Sequence, residues 1–245
     1  MKKVSSDVAY EYIRKKIISG DFPPGAALMT ESLAEEIKVS RTPVRDALYK
    51  LKAEGLVSIS PRLGASVKKM DLKEYREMCE LRLALEGHSA ALAAVNASQV
   101  DLREIKYALD AMKELTAKIL AAKDESALFN DLVREDVRFH IGIMTAAHNN
   151  LMKREILKLN MINRVMIGPK VTKPSDKREM DANRRKVLAS HQEIYDAIAR
   201  GDAPASRAAM ERHIQDMIDK TMRLIAGSDL GMPRELSEDE LAYTG

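Results

Sequence analysis

The chain has 245 residues, of which 40 are Lys or Arg and 37 are Asp or Glu, and its formal net charge is +3. A chain of this length can build two compact cores, and the lack of an apolar run long enough to cross a bilayer argues against a membrane protein. The two lysines near the N-terminus precede no apolar stretch, so we expect no signal peptide and a cytoplasmic protein. The single cysteine, Cys79, excludes an intramolecular disulfide and a cysteine-rich zinc site.

Charge is divided unevenly along the chain. Residues 1–70 contain 13 Lys and Arg against 8 Asp and Glu, whereas the remainder contains 27 against 29. The basic part is suited to contact with phosphates. Because an excess of this size is often only a solvated surface, it supports a nucleic-acid partner without establishing one.

Residues 40–57 predict a helix that opens on polar and cationic side chains and continues as an apolar stripe. Ser40 suits the N-cap, Pro43 the first turn and Gly55 the C-terminal end. The apolar positions that recur at helical spacing are Val44, Leu48 and Leu51. The polar side chains left on the first turn, which can contact bases or phosphates, are Arg41, Thr42 and Arg45. Taken alone, the segment also fits an ordinary amphipathic helix with solvated arginines.

The flanking segments complete a winged helix-turn-helix. A basic amphipathic helix closed by Gly20 is followed by a turn or short strand through Pro23 and Pro24. A short helix with Thr30 as its predicted N-cap then leads into the helix described above. After that helix, alternating apolar and polar residues predict two strands of a hairpin, at residues 56–60 and 65–69 with the tip at 61–64, which would be the wing.

These segments resemble the N-terminal domain of GntR-family bacterial transcription regulators over residues 6–70. The recognition-helix sequence SerArgThrProValArgAspAlaLeu at 40–48 carries the resemblance, together with ProProGly at 23–25 and GluGlyLeuVal at 54–57. The resemblance implies that Arg41, Thr42 and Arg45 contact DNA and that Gly64 approaches the minor groove. The sequence departs from the family at two positions: Lys38 stands where a glycine is usual, and Glu31 stands where some relatives carry an arginine that touches DNA.

The region 71–226 is rich in helix-forming residues, beginning at an Asp cap. Breaks divide it into six or seven helices, which predicts an antiparallel helical bundle, and the fourteen methionines and few aromatics indicate a mainly aliphatic core. The expected fold is thus mainly α, with a winged helix-turn-helix domain at 1–70 and the bundle at 71–226. Residues 227–245 are expected to form a weakly ordered tail. The predicted breaks lie at residues 96–98, 123–125, 148–150, 168–176 and 201–204.

The bundle contains a candidate metal site. Asp136 and His140 are four residues apart and project from the same helix face, whereas His191 and His213 lie on two later helices. One carboxylate and three imidazoles suit zinc, nickel or another transition ion better than calcium or magnesium. From spacing alone, surface or capping roles for these histidines remain open.

The bundle resembles the FCD ligand-binding domain of the FadR-like branch of GntR regulators, which has Asp-x₃-His on one helix and one His on each of two later helices. The resemblance implies that Asp136, His140, His191 and His213 bind one divalent transition metal per chain. It also implies that Arg82, in GluLeuArgLeuAlaLeuGlu at 80–86, binds the carboxylate of a small organic acid. The alternative for Arg82 is an ion pair four residues along its helix. His88 and His148 fall outside the pattern and are interpreted as structural.

Two classes of function compete at this point. One is a homodimeric regulator that binds a short palindromic operator in double-stranded DNA and responds to a small organic acid. The other is a metal-dependent helical enzyme, because a three-histidine site with open positions can activate water. No HisGluxxHis motif, nucleophile elbow or glycine-rich phosphate loop accompanies the candidate ligands. The sequence therefore favours a regulator over an enzyme.

Overall fold

The computed structural model describes residues 5–61, 64–122, 126–167 and 176–227. The described residues form nine helices and two strands, which confirms the mainly helical fold. One compact unit contains the chain through residue 76 together with the helical residues from 158 to 167. The other unit contains residues 77–157 and the helical residues from 177 to 223. The elements are α1 (Ser5–Ile18), α2 (Thr30–Ile37), α3 (Arg41–Ala53), β1 (Val57–Ser60), β2 (Gly64–Val67), α4 (Leu72–Asn96), α5 (Gln99–Ala121), α6 (Ser126–Ala146), α7 (Asn150–Ile167), α8 (Lys177–Ala199) and α9 (Ala203–Gly227).

The N-terminal unit is a winged helix-turn-helix built on one apolar core. The side chains that the helical spacing predicted to be buried are buried, and residues of α1 pack in the same cluster. Burial of a stripe on each of three helices fixes which face of α3 is left to solvent. The core includes Ile13, Ile17, Leu33, Val44, Leu48, Leu51, Leu56 and Val67.

The start of α2 and the turn after it differ from the sequence-based expectation. The predicted cap Thr30 is wrong by one residue: the helix starts there, and Met29 is the N-cap because its carbonyl already accepts the Leu33 N–H at 3.0 Å. Lys38 has a φ of +60°, which explains why a glycine is usual at this position. Ser40 occupies the N-cap of α3 as predicted but makes no side-chain capping bond.

The wing is an antiparallel hairpin. Val57 pairs with Val67 and Ser60 pairs with Gly64, so Gly64 opens β2 and does not lie in the connection. Pro61 follows β1, and residues 62 and 63 lie outside the described residues. Gly55, with a φ of +78°, ends α3 and starts the path into β1, as predicted.

The described part of the region 71–226 contains six helices, which confirms the predicted number of six or seven. Ser98 and Asp101 form a capping box at the start of α5, and Asp71 accepts the Glu74 N–H at 2.7 Å at the start of α4. The buried apolar side chains of this region are mainly aliphatic, with Phe139 among the largest, and Cys79 is buried with them. The predicted break at 123–125, most of that at 168–176 and all but the first residue of the predicted tail lie outside the described residues. None of the helices described is apolar over a length that would span a membrane.

Candidate DNA interface and metal centre

The first turn of α3 presents the three side chains that the sequence singled out. Arg41, Thr42 and Arg45 are all exposed, whereas Val44 and Leu48 on the opposite face are in the core. Because the buried stripe anchors the helix, its N-terminal end is held toward solvent with two cations on it. This is the surface a phosphate backbone or a base edge requires.

The two arginines of this surface differ in their surroundings. Arg41 Nη1 donates to Glu31 Oε1 on α2 at 3.0 Å, whereas Arg45 has no ion-pair partner among the described residues. A hydrogen bond from its own backbone N–H, followed by the bond from Arg41, lowers the pKa of the Glu31 carboxyl. The acidic residue that departs from the family pattern is therefore bonded to a residue predicted to contact DNA.

Gly64 lies on the exposed edge of the wing. Apart from Gly64 and its two chain neighbours, no atom of the described residues lies within 4 Å of the position that a Cβ would take, and the φ is +78°. The positive φ therefore requires glycine at this position, whereas packing within the protein leaves room for a side chain.

Three histidines from three helices meet in the interior of the second unit. His140 of α6, His191 of α8 and His213 of α9 each offer a ring nitrogen within 4.8 Å of the other two. His191 Nε2 lies 3.3 Å from His140 Nε2, and the rings of His191 and His213 have centroids 4.4 Å apart. Phe139 packs edge-on against the His191 ring, with centroids 4.8 Å apart, and closes one side of the cluster. Three imidazoles at this spacing can share one transition ion.

The outer nitrogens of the rings indicate which nitrogen faces the cluster. Ser190 Oγ lies 2.7 Å from the Val187 carbonyl oxygen and 2.9 Å from His213 Nδ1. A hydroxyl that donates to the carbonyl accepts from the ring, which is the arrangement that leaves the lone pair of His213 on Nε2. His140 Nδ1 points toward Glu86, and its Nε2 faces His191. This geometry favours Nε2 as the ligand atom of both rings.

Burial keeps the imidazoles neutral. Desolvation lowers the pKa of His140, lowers that of His191 well below its usual range, and lowers that of His213 to about 4. The neighbouring histidines lower the last two further, since two adjacent cations would repel. A neutral imidazole is the form that binds a metal.

Asp136 lies at the edge of the cluster, one helical turn before His140. Its Oδ1 is 3.4 Å from His191 Nε2, and 40% of the side chain is accessible to water. Despite that opening, the surrounding protein raises the pKa of the carboxyl to about 6, mainly by desolvation. A carboxylate that is poorly solvated next to neutral imidazoles suits a bound cation.

Arg82 and Glu86 of α4 lie beside the histidines. Arg82 Nε donates to Glu86 Oε1 at 3.0 Å, which is the ion pair that the four-residue spacing allowed. The charge of Arg82 also acts on Asp136, His140 and His213 and lowers the pKa of each. Its Nη1 is buried and has no hydrogen-bond partner among the described residues, so the guanidinium has a donor to offer next to the cluster.

The two histidines outside the pattern have other partners. His148 Nε2 is 3.3 Å from Asp101 Oδ2, and His88 Nδ1 accepts from Arg207 Nη2 at 2.6 Å. Both side chains are exposed. Sequence reasoning missed Ser190 and any role for Glu86 toward the cluster; the position of Ser190 next to His191 carried no signal of its contact with His213.

A winged helix-turn-helix joined to a helical domain with a buried polar cluster defines a DNA-binding regulator with a ligand-binding domain. Residues 5–67 match the gntR family of bacterial regulatory proteins and residues 77–216 match the FCD domain. The chain belongs to the GntR family and carries an FCD domain, as the two resemblances implied. The expectation of a regulator in place of an enzyme is confirmed by the family and its relatives, which are transcriptional regulators.

Individual relatives align along most of the chain. An uncharacterized HTH-type transcriptional regulator in an unstable DNA locus of Streptomyces ambofaciens is 29% identical over 228 residues, covering 89% of this chain and 86% of that protein. The HTH-type transcriptional regulator LutR of Bacillus subtilis is 28% identical over 220 residues, covering 83% and 94%. The solved structure of McbR/YncC from Escherichia coli has a TM-score of 0.66 at 21% identity, covers 91% of this chain and 99% of that one, and shows a shared fold.

Proposed function

We propose that this regulator binds a palindromic operator as a homodimer and that a small carboxylate, bound at a metal ion in the helical domain, changes its affinity for DNA. The observation that carries the proposal is the group of three imidazoles beside Arg82, whose Nη1 is buried and has no partner in the part of the chain that the structure describes. A buried guanidinium donor left unpaired costs free energy until a ligand accepts from it. A carboxylate on a neighbouring ion is such an acceptor.

The DNA contacts are assigned to the first turn of α3 and to the wing. Arg41, Thr42 and Arg45 are exposed together on the end of a helix whose other face is anchored in the core. A helix of this kind enters the major groove, where Arg can bond to guanine O6 and N7. Gly64 is assigned to the minor groove, because its side-chain position is open and a backbone without Cβ can approach DNA closely.

The metal is assigned to the three histidines, with Asp136 as the fourth ligand. The orientation of the Nε2 atoms and the neutral state of the rings support one ion per chain. Zinc and nickel both accept three imidazoles and a carboxylate, so the donor set does not choose between them. When bound, the ion would offer a Lewis-acidic position to a carboxylate oxygen.

The dimer contact is assigned to α4. Between Leu81 and Val95, over four turns of helix, the charged side chains are buried and the outward positions are apolar except for His88. Leu81 is 50% exposed and Val95 is 70% exposed, although both are large apolar residues. The outward apolar stripe consists of Leu81, Leu85, Leu92 and Val95, and His88 between Leu85 and Leu92 completes an alternating spacing of four and three residues. Such a stripe is typical of a helix that packs on a second helix, and two-fold symmetry would match a palindromic operator.

Metal binding is tested by thermal unfolding with and without a chelator. An ion at about 100 times its Kd stabilises the folded state by about 2.7 kcal/mol, which for a domain of this size raises Tm by about 5–10 °C. His191→Ala should lose this metal-dependent shift and the bound ion. His148→Asn is the control, because it removes an exposed histidine at a φ of +52° that asparagine tolerates. An equal shift in wild type and His191→Ala would reject the assigned ligands.

The effector site is tested with Arg82→Lys, since Arg82→Ala would leave the buried Glu86 without a countercharge. Lysine keeps the charge but not the planar pair of donors that matches a carboxylate. A screen of organic acids by thermal shift would identify a ligand of the wild type, and operator binding would then be titrated with it. We expect the variant to bind operator normally and to need at least tenfold more ligand for release. Release at the wild-type ligand concentration would reject Arg82 as the carboxylate binder.

A further inference from the structure

Two buried polar atoms face each other between α4 and α6 without forming a hydrogen bond. Glu86 Oε2 lies 3.7 Å from His140 Nδ1, and neither atom has a hydrogen-bond partner among the described residues. Glu86 is 1% exposed, so bulk solvent does not reach its carboxylate. A closer approach of about 1 Å would satisfy both atoms at once.

The other oxygen of the same carboxylate is already engaged. Glu86 Oε1 accepts the Nε–H of Arg82 at 3.0 Å, so one side chain stands between the arginine and a histidine of the cluster. A metal-binding histidine usually donates its outer N–H to a carboxylate or carbonyl, which fixes the tautomer and the orientation of the ring. In His213 this partner is Ser190. The Glu86 carboxylate lies next to Nδ1 of His140, as Ser190 lies next to Nδ1 of His213.

We propose that Glu86 is a positioning residue for the metal centre, which holds His140 protonated at Nδ1 with Nε2 toward the ion and holds Arg82 beside it. The proposal rests on the proposed function, because it assumes that the three histidines bind a metal. It goes further in assigning to Glu86 a contribution to metal affinity. Binding of an ion to Nε2 makes the Nδ1–H a stronger donor, so the bond to Glu86 Oε2 should tighten on loading.

The variant Glu86→Gln tests this proposal because it should change which ring nitrogen of His140 carries the proton. Arg82 can only donate, so the amide oxygen of the glutamine must face it and the amide NH₂ must face His140. His140 would then have to accept at Nδ1 and carry its proton on Nε2, the nitrogen that should bind the metal. We expect metal affinity to fall about 10–100-fold, which is the effect typical of losing such a partner.

Two further variants separate this role from a general effect on stability. Glu135→Gln is the matched control, since Glu135 is also a buried glutamate whose ion pairs among the described residues are with arginines and not with the histidines. Glu86→Asp keeps the negative charge but shortens the side chain by one methylene, which withdraws the carboxylate from His140, so it should also lower metal affinity if Glu86→Gln fails to fold.

The measurements are metal affinity by competition with a chelating dye, using Zn²⁺ alone, and the imidazole tautomers of the metal-free protein by long-range ¹H–¹⁵N spectra. We expect His140 to be protonated at Nδ1 in wild type and at Nε2 in Glu86→Gln, with a loss of affinity in that variant and not in Glu135→Gln. Wild-type affinity in folded Glu86→Gln or Glu86→Asp, or an unchanged His140 tautomer in Glu86→Gln, would overturn the proposal. Absence of Zn²⁺ binding in the wild type would instead reject the proposed metal centre itself.

Discussion

The proton on Asp136 should control how metal affinity depends on pH. Its carboxyl has a pKa raised to about 6 by desolvation, whereas burial keeps the pKa values of the three imidazoles below their usual range, that of His213 at about 4. Because the pKa of each imidazole lies below its usual range, we expect Asp136 to be the main group from which an incoming ion displaces a proton around pH 6. One displaced proton changes the apparent affinity tenfold per pH unit below the pKa.

The expected magnitude follows from that one pKa. Asp136 is about one-tenth protonated at pH 7 and about nine-tenths protonated at pH 5, so the affinity for Zn²⁺ should fall about tenfold between these values. In Asp136→Asn the affinity should be lower throughout but should change less than about twofold over the same range. The assay is competition with a chelating dye of known pH dependence, with helix content monitored by circular dichroism.

Asp136 and the histidines affect the stability of the metal-free protein with opposite dependence on pH. Because folding raises the pKa of Asp136, its contribution favours the folded state at low pH and is lost as the pH rises through about 6. Folding lowers the pKa of the histidines, so their neutral state costs stability as the pH falls below about 6.5 toward their folded values. A tenfold fall in metal affinity that persists in Asp136→Asn would show that the competing proton resides on an imidazole, and a flat profile in wild type would remove Asp136 from the ligand set.

Three further predictions concern DNA binding and assembly. Arg45→Ala should weaken operator binding by about 1–3 kcal/mol in a gel-shift titration at fixed salt if the side chain contacts a base, and an unchanged Kd would remove it from the interface. Glu31→Gln releases Arg41, so binding to unrelated DNA should tighten and the plot of log K against log salt should steepen by about one unit; identical slopes for variant and wild type would contradict this. Leu81→Glu with Val95→Glu should convert the dimer to a folded monomer by light scattering, and a dimer that survives both charges must form through another surface.

The sequence predicted those features that depend on local spacing. The buried stripe of α3 and the exposed Arg41 and Arg45 followed from a helical period and from residue types within a few turns. The predicted N-cap at Thr30 was wrong by one residue. The Leu33 N–H donates to the Met29 carbonyl, and this backbone hydrogen bond makes Met29 the N-cap. Errors of this size at helix ends are expected, since caps differ by small free energies.

Contacts between elements were beyond the reach of sequence spacing. The bond from Arg41 to Glu31 joins two helices, and the position of Glu86 behind His140 depends on how α4 and α6 pack. Spacing placed Asp136 and His140 on one face, but it gave no means of bringing His191 and His213 to them. The residue types made that convergence one possibility beside surface or capping roles, the family resemblance implied it, and the structure brings the three imidazoles together.

The unsatisfied atoms around the histidines explain why this cluster is interpreted as a binding site and not as a structural core. Four buried atoms have no hydrogen-bond partner within the described ranges: Arg82 Nη1, Glu86 Oε2, His140 Nδ1 and His191 Nδ1. A buried polar atom left unpaired costs about 1–3 kcal/mol, so a cluster selected for stability alone would be better filled by apolar side chains. An ion bound to the Nε2 atoms would draw His140 toward Glu86, and a carboxylate would accept from Arg82. Ligand binding would therefore supply stability that the protein lacks by itself, and the proposed ligands would make the helical domain responsive to their concentrations.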